Sequence, residues 1–227
     1  MLLLTVLISF VFGWFGWRGI IVRVERANVA DWGNKWLNRL DGLNRIFCRH
    51  FHGLDSDALT LPKKGGALVA SNHVSGLDPL LMFASCDRPL RFIIAREQYE
   101  RWYLKWLFRA AGCIPVERAR RPQAALMAAK KALDAGEVVA LFPHGTIHLD
   151  HHKPRKLKRG IVWLGKRTGA PIYTLRIDGV RGKGLTLLSV WIPSRVKLRS
   201  FPQIICSGHD EQDCLDQIQQ NISRVPV

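Results

Sequence analysis

Acid is scarce in this 227-residue chain: 18 Asp and Glu stand against 34 Lys and Arg, a net charge of +16 with a pI near 10.3. So basic a chain implies anionic partners: nucleic acid, a membrane surface or an acidic carrier protein. No nucleic-acid-binding motif stands out, and the basic residues are interleaved with apolar and Trp-rich segments, which argues against nucleic acid. Cysteine is sparse as well. Five cysteines, an odd number with no Cys-x2-Cys pair, fit reduced thiols on the cytoplasmic side rather than a disulfide framework. The His-Glu-x-x-His metal pattern is missing too. His144 and His148 are four apart, but Gly145 and the loop-like run Asp150 to Pro154 argue against a shared helix face, so no metal site is expected. Internal repeats and low-complexity linkers are also lacking, and the roughly 165 residues from Leu61 onward are ample for one core.

Charge is absent from Met1 to Trp17, and apolar character resumes through Val22 after Arg18. Twenty-two helical residues extend roughly 33 Å, enough for a hydrocarbon core of about 30 Å. No basic region precedes this run and no small-residue cleavage site follows it, unlike a secretory signal peptide. A spanning helix competes here with an in-plane one, since Gly13, Gly16 and Gly19 weaken the run. Arg18, Arg23 and Arg26 just after it place the rest of the chain on the cytoplasmic face, of the inner membrane if the source is bacterial. Val29 to Phe47 reads as a second helix. Its stripe of Val29, Trp32, Trp36, Leu40 and Leu43 suits either an anionic bilayer or packing on the domain that follows. Residues 1–60 are thus expected to be an N-terminal module of membrane-associated helices.

Residues 61–227 alternate as an α/β domain does. Strands are predicted over Ala67 to Ala70, Leu90 to Ala95, Cys113 to Val116, Val138 to Phe142, Ile172 to Ile177, Leu185 to Ile192 and Val196 to Phe201. Helices are predicted from Pro79, over Gln98 to Ala111, Pro122 to Ala135, Lys158 to Gly169 and Glu211 to Ser223. The strand Ala67 to Ala70 leads into His73 and Asp78, with Asp78 and Pro79 suited to the N-cap and first position of the next helix. An imidazole paired with a carboxylate makes a general base whose tautomer is fixed. No serine or cysteine nucleophile is evident beside the pair, so the hydroxyl to be activated belongs to a substrate. His50 with Asp55, and His52 with Asp57, share the spacing but have no strand leading in.

Asn72-His73 with Asp78, then Gly112 to Arg118, Leu141 to Thr146 and Gly169 to Tyr173, resembles in order the glycerolipid acyltransferase superfamily, which includes the lysophosphatidic acid acyltransferases. The first block matches the family's Asn-His-x4-Asp. The third departs from its Phe-Pro-Glu-Gly-Thr-Arg, with His144 at the glutamate and Ile147 at the arginine position.

The resemblance implies a mixed, mostly parallel sheet flanked by helices. It implies a membrane-bound enzyme of phospholipid biosynthesis that transfers a fatty acyl group from acyl-CoA or acyl-ACP to a lysophospholipid hydroxyl, most simply that of 1-acylglycerol-3-phosphate. A lyso-aminolipid acceptor, or a non-catalytic lipid-binding member, is the alternative that His144 and Ile147 raise. His73 and Asp78 carry catalysis in this reading; Asn72, Arg118, His144, Gly145, Thr146 and Pro171 contact substrate; no cofactor is needed beyond the acyl thioester. Lys153 to Arg159 offers replacement positive charge.

Overall fold

A computed structural model describes residues 18–56, 59–117, 122–149 and 155–223. Its described elements run α1 (18–27), α2 (Lys35–His50), β1 (Asp55–Ser56), β2 (Ala67–Ser71), α3 (Asp78–Ser85), β3 (Leu90–Ala95), α4 (Arg96–Tyr99), α5 (Trp102–Ala110) and β4 (Ile114–Val116). They continue with α6 (Pro122–Asp134), β5 (Val138–Leu141), α7 (Gly160–Thr168), β6 (Ile172–Asp178), a 3-10 turn (Leu187–Trp191), β7 (Lys197–Ser200) and α8 (Glu211–Ser223).

The strands form one sheet in the order β1-β7-β6-β2-β5-β3-β4. Neighbours from β6 to β4 are parallel, and β7 runs antiparallel to β6. Every residue of β2 is buried, as a central parallel strand covered on both faces must be. Leu81, Met82 and Phe92 lie in the core on one face. Ala129, Ile161, Leu164 and Ile218, from α6, α7 and α8, fill the other. A parallel sheet gathers its carboxyl ends along one edge. Here the segments after β2, β3, β5 and β6 all leave from that edge.

α2 joins this body through charge as well as through Cys48 and Phe47, which pack against the core. Arg45 donates Nε to Asp41 Oδ2 (2.6 Å), and its two terminal nitrogens to the carbonyls of Ala84 (2.9 Å) and Cys86 (2.6 Å). A buried cation there satisfies carbonyls at the end of α3. Breaking such a pair costs about 3–5 kcal/mol, because one charge is stranded. Asn28 ties α1 to the same Asp41 (2.9 Å), and a Cβ at Gly42 would collide with the Val24 carbonyl.

Three expected elements need correction, and the open question of where the α2 stripe faces is answered. The second helix starts at Lys35, not Val29, because Asn34 caps it by accepting from the amides of Trp36 and Leu37. Its apolar residues Trp36, Leu40 and Leu43 point to solvent, since the inward face is Asp41, Gly42, Arg45 and Cys48. The helix predicted over Gln98 to Ala111 is broken in two: Arg101 is extended (φ −60°, ψ 118°) and opens α5. Leu185 to Ile192 is no strand. The β6 edge it would need is occupied by β7, so the segment folds onto the turn after β2 and winds into the 3-10 turn. Among the described residues no helix is long and apolar enough to cross a membrane; the run from Met1 to Trp17 lies outside them.

Candidate active site

β2 delivers its last residues to the carboxyl edge, and Asn72 fastens them there. Its side-chain amide donates to the Ile177 carbonyl (2.9 Å) and accepts from the Ile177 N–H (2.8 Å) and Ser71 Oγ (3.2 Å). The amide thus prolongs the β2–β6 ladder beyond Ser71. Asn72, expected among the substrate contacts, has both amide atoms engaged inside the protein.

The turn that follows wraps around one carboxylate. Asp78 Oδ2 accepts from His73 Nδ1 (2.8 Å), Val74 N (2.6 Å) and Ser75 N (2.8 Å), and Oδ1 accepts from Ser75 Oγ (2.8 Å). Asp78 is fully buried at the first position of α3, where the helix dipole favours an anion. Leu77, not Asp78, occupies the N-cap. A carboxylate can only accept, so Nδ1 carries the ring proton and the Nε2 lone pair is left for chemistry. The His73 ring lies flat on Phe142 (centroids 4.0 Å apart, 11° between planes), which prevents it from tilting away. Its side chain remains partly exposed.

Gly76 is required by the packing around this turn. Its N–H donates to Leu185 O (2.9 Å), and a Cβ there would sit 2.4 Å from the Thr186 carbonyl oxygen.

The neighbouring strand β5 supplies the second wall. Gly145 N donates to Phe142 O (2.9 Å), with Gly145 left-handed at φ 77°. His148 N donates to His73 O (2.7 Å), which ties the two turns together. His144 is buried and stacked on His148 (4.7 Å, 20°), so the two rings do not converge on one point as metal ligands do. Neither nitrogen of His144 has a hydrogen-bond partner. Burial, aided by the positive neighbours His148 and Arg155, lowers its pKa to about 4, so this imidazole is neutral near pH 7. Thr146 Oγ1 accepts from Arg155 (2.8 Å), and the Lys158 ammonium lies 2.7 Å from where a Gly145 Cβ would be.

His73, Asp78, Asn72, His144, Gly145 and Thr146 therefore come together. Pro171 does not join them. Its carbonyl accepts from Leu68 N at the amino end of β2 (2.9 Å), five residues before His73, roughly 15 Å along the strand. Arg118 lies outside the described residues, as do Asp57 and the run from Asp150 to Pro154. His50 ends α2 in solvent, and His52 turns inward to Val190 O (3.1 Å). Sequence reasoning missed Ser75 and Gly76, and took Lys158 only as one residue of a basic run. Only Ser75 carried a signal, as a hydroxyl between a histidine and an aspartate.

Three comparisons bear on this arrangement. A family model described as "Acyltransferase" matches residues 55–178, from β1 through β6. A probable 1-acyl-sn-glycerol-3-phosphate acyltransferase of Mycoplasma pneumoniae is 30% identical over 129 residues, 54% of this chain and 47% of that protein. The 1-acyl-sn-glycerol-3-phosphate acyltransferase of Borreliella burgdorferi is 25% identical over 119 residues, 52% and 47% respectively. The chain thus spans about half the length of the curated relatives it matches. The crystal structure of the 1-acyl-sn-glycerophosphate (LPA) acyltransferase PlsC from Thermotoga maritima shares the fold: TM-score 0.65 over 98% of this chain and 92% of that one, at 22% identity. With more than half of its length, His73 and Asp78 included, inside the matched family model, this chain belongs to the acyltransferase family.

Proposed function

We propose that this protein moves a fatty acyl group from an acyl thioester, acyl-CoA or acyl-ACP, to the hydroxyl of a lysophospholipid, with 1-acylglycerol-3-phosphate as the first candidate acceptor. The observation that carries this reading is the Nε2 lone pair of His73, fixed by a fully satisfied Asp78 on a side chain that stays partly exposed. Nε2 takes the acceptor's hydroxyl proton as that oxygen attacks the thioester carbonyl; the C–S bond breaks, and the imidazolium returns the proton to the departing thiolate. No acyl-enzyme is required. Ser75 Oγ is buried against Asp78. Burial pushes the Cys48, Cys86 and Cys206 thiols up to about 12 and Cys113 to about 11, far from the thiolate a nucleophile needs.

Arg155 and Lys158 stand beside the His144 turn as partners for an acceptor phosphate, with Arg118 the third cation assigned to it. The exposed Trp36, Leu40 and Leu43 of α2 and the basic composition support a seat on an anionic bilayer, with the domain on the cytoplasmic face. One observation favours a second acceptor: the neutral His144 with two unpaired nitrogens suits a head group without a phosphate monoester, such as a lyso-aminolipid. The test is a panel of lysolipids offered with both donors, the products read by mass spectrometry. Transfer to lysophosphatidic acid fixes the first acceptor; transfer only to monoester-free lysolipids selects the second. Thioester loss without any acceptor would make the protein a hydrolase and end the proposal.

A further inference from the structure

Large apolar side chains stand in solvent on two segments that follow strands ending at the edge that holds His73. None of the nine residues of α5 is buried, and its Trp102 and Trp106 are 86% and 60% exposed. In the segment after β6, Leu188 and Trp191 are 66% and 72% exposed, and Leu185 and Leu187 also face outward. α5 follows β3 and this segment follows β6, so both leave the carboxyl edge with the His73 turn.

The exposure after β6 is built in. Ser189 is buried with its Oγ on Thr186 O (2.6 Å), and the His52 ring holds Val190 O from below. Gly184 N and Leu185 O pair with Val74 O and Gly76 N of the His73 turn (2.8 and 2.9 Å). These inward anchors fix the backbone, and Leu187, Leu188 and Trp191 are what it presents. A monomeric surface rarely keeps so many large apolar groups together without a use for them.

Their neighbours choose the occupant. Arg181, Lys183 and Arg195 are exposed in the segment after β6, which has no acidic residue from Gly179 to Arg195. Arg155, Lys156, Lys158 and Arg159 are exposed after β5. Beside α5, the exposed Glu97 and Glu100 are outnumbered by Arg96, Arg101, Lys105 and Arg109, and Glu100 is paired with Lys105. Indole rings and leucines in this net cationic surround fit the interfacial zone of an anionic bilayer.

We propose that this carboxyl edge, through α5 and the 185–191 segment, is a membrane seat separate from the N-terminal helices, and that it sets the His73 turn directly over the leaflet. The proposal builds on the reading of a lipid acceptor, because a lysolipid leaving that leaflet would then enter at His73. Phosphate on Lys158 and Arg155, with the acyl chain still held in the leaflet, would place the hydroxyl between them.

The full-length protein tests this directly. The native cysteines are buried, so Trp106→Cys, Trp191→Cys and, at the opposite edge before β2, Lys64→Cys can each carry one environment-sensitive fluorophore. Each is mixed with brominated vesicles of phosphatidylglycerol and phosphatidylcholine, or of phosphatidylcholine alone. The expected result is a blue shift and quenching at positions 106 and 191 on the anionic vesicles, with little response at 64. Aqueous spectra at 106 and 191 while the protein is vesicle-bound, an equal response at 64, or no binding at all would overturn the seat. An equal response on neutral vesicles would overturn its anionic character.

A double variant, Trp106→Ser with Trp191→Ser, extends the test to activity. Vesicle affinity should fall about tenfold, and transfer to bilayer-embedded lysolipid should fall with it. Transfer to a water-soluble short-chain lysolipid should be unchanged. An unaltered affinity overturns the seat. Failure of every acceptor in the presence of the label shifts would instead sink the transferase reading and leave the seat standing.

Discussion

The turn after β2 and the turn after β5 meet at the same sheet edge, and each carries an imidazole, yet the two rings are prepared in opposite ways. His73 has its inner nitrogen on a buried carboxylate and its face on Phe142, so tautomer and orientation are settled before any substrate arrives. His144 is buried on its turn with both nitrogens unpaired. A buried polar atom without a partner costs roughly 1–3 kcal/mol. The first ring is arranged for a proton and the second for a ligand. On the proposed function, that difference separates the part of the site that would perform chemistry from the part that would select what is acylated.

The comparison breaks most visibly at His73. His73→Ala should reduce transfer by about 10² to 10⁴ while leaving the fold intact. Asp78→Asn should lose activity and stability together, because the amide removes the charge that offsets the imidazolium and puts an NH2 donor where a carboxylate oxygen now accepts. His50→Ala should be near neutral, as its ring sits in solvent at the end of α2. Steady-state rates and thermal melts of these variants check the assignment; full activity in the His73 variant would refute it.

A smaller effect is expected on the selecting side. Lys158→Ala should raise the apparent KM for a phosphate-bearing acceptor by roughly ten- to a hundredfold, the worth of one charge-assisted contact of about 1.5–3 kcal/mol. The KM for the acyl donor and for a monoester-free acceptor should move little. Equal losses for all acceptors would mean that Lys158 only braces the Gly145 turn.

The smallest effect is on stability, and it has a pH signature. Removing an unpaired polar ring with His144→Phe should stabilise the fold by about 1 kcal/mol, or about 2–4 °C in Tm, if the larger ring is accommodated. Burial holds His144 near a pKa of 4, against 6.5 for the free side chain, so the unfolded chain takes up this proton first. Stability should therefore fall as pH drops from about 6.5 to about 4, with no further loss from this group below that. His52, also lowered by burial, contributes in the same direction. The phenylalanine variant should show a shallower slope, not a flat one; an unchanged slope would assign the acid sensitivity elsewhere.

Much of this was written in local sequence. The alternation from Ala67 onward located β2, β3, β5, β6 and α8 within a residue or so, and Gly169 stops α7 in the left-handed conformation (φ 68°) as its position suggested. His73 and Asp78 were legible because strand, turn and helix start coincide around them. What escaped depends on partners distant in the chain. No glycine or proline marks the break at Arg101, and nothing in Leu185 to Ile192 says that β7 already fills the sheet edge. The apolar stripe of α2 was visible, but its outward direction is decided by Arg45 finding the carbonyls after α3. Lys158 was seen only as part of a basic run; its place over Gly145 needs the folded loop.

The paired bonds between Asn72 and Ile177 have a consequence for dynamics. Ile177 belongs to the sheet, but its N–H is held by a side chain of the His73 turn rather than by another strand. Solvent deuterium can reach that amide only when Asn72 lets go, whereas the amides of the regular ladder wait for the strands themselves to part. The exchange lifetime of a single backbone proton therefore counts how often the turn comes loose while the sheet stays closed.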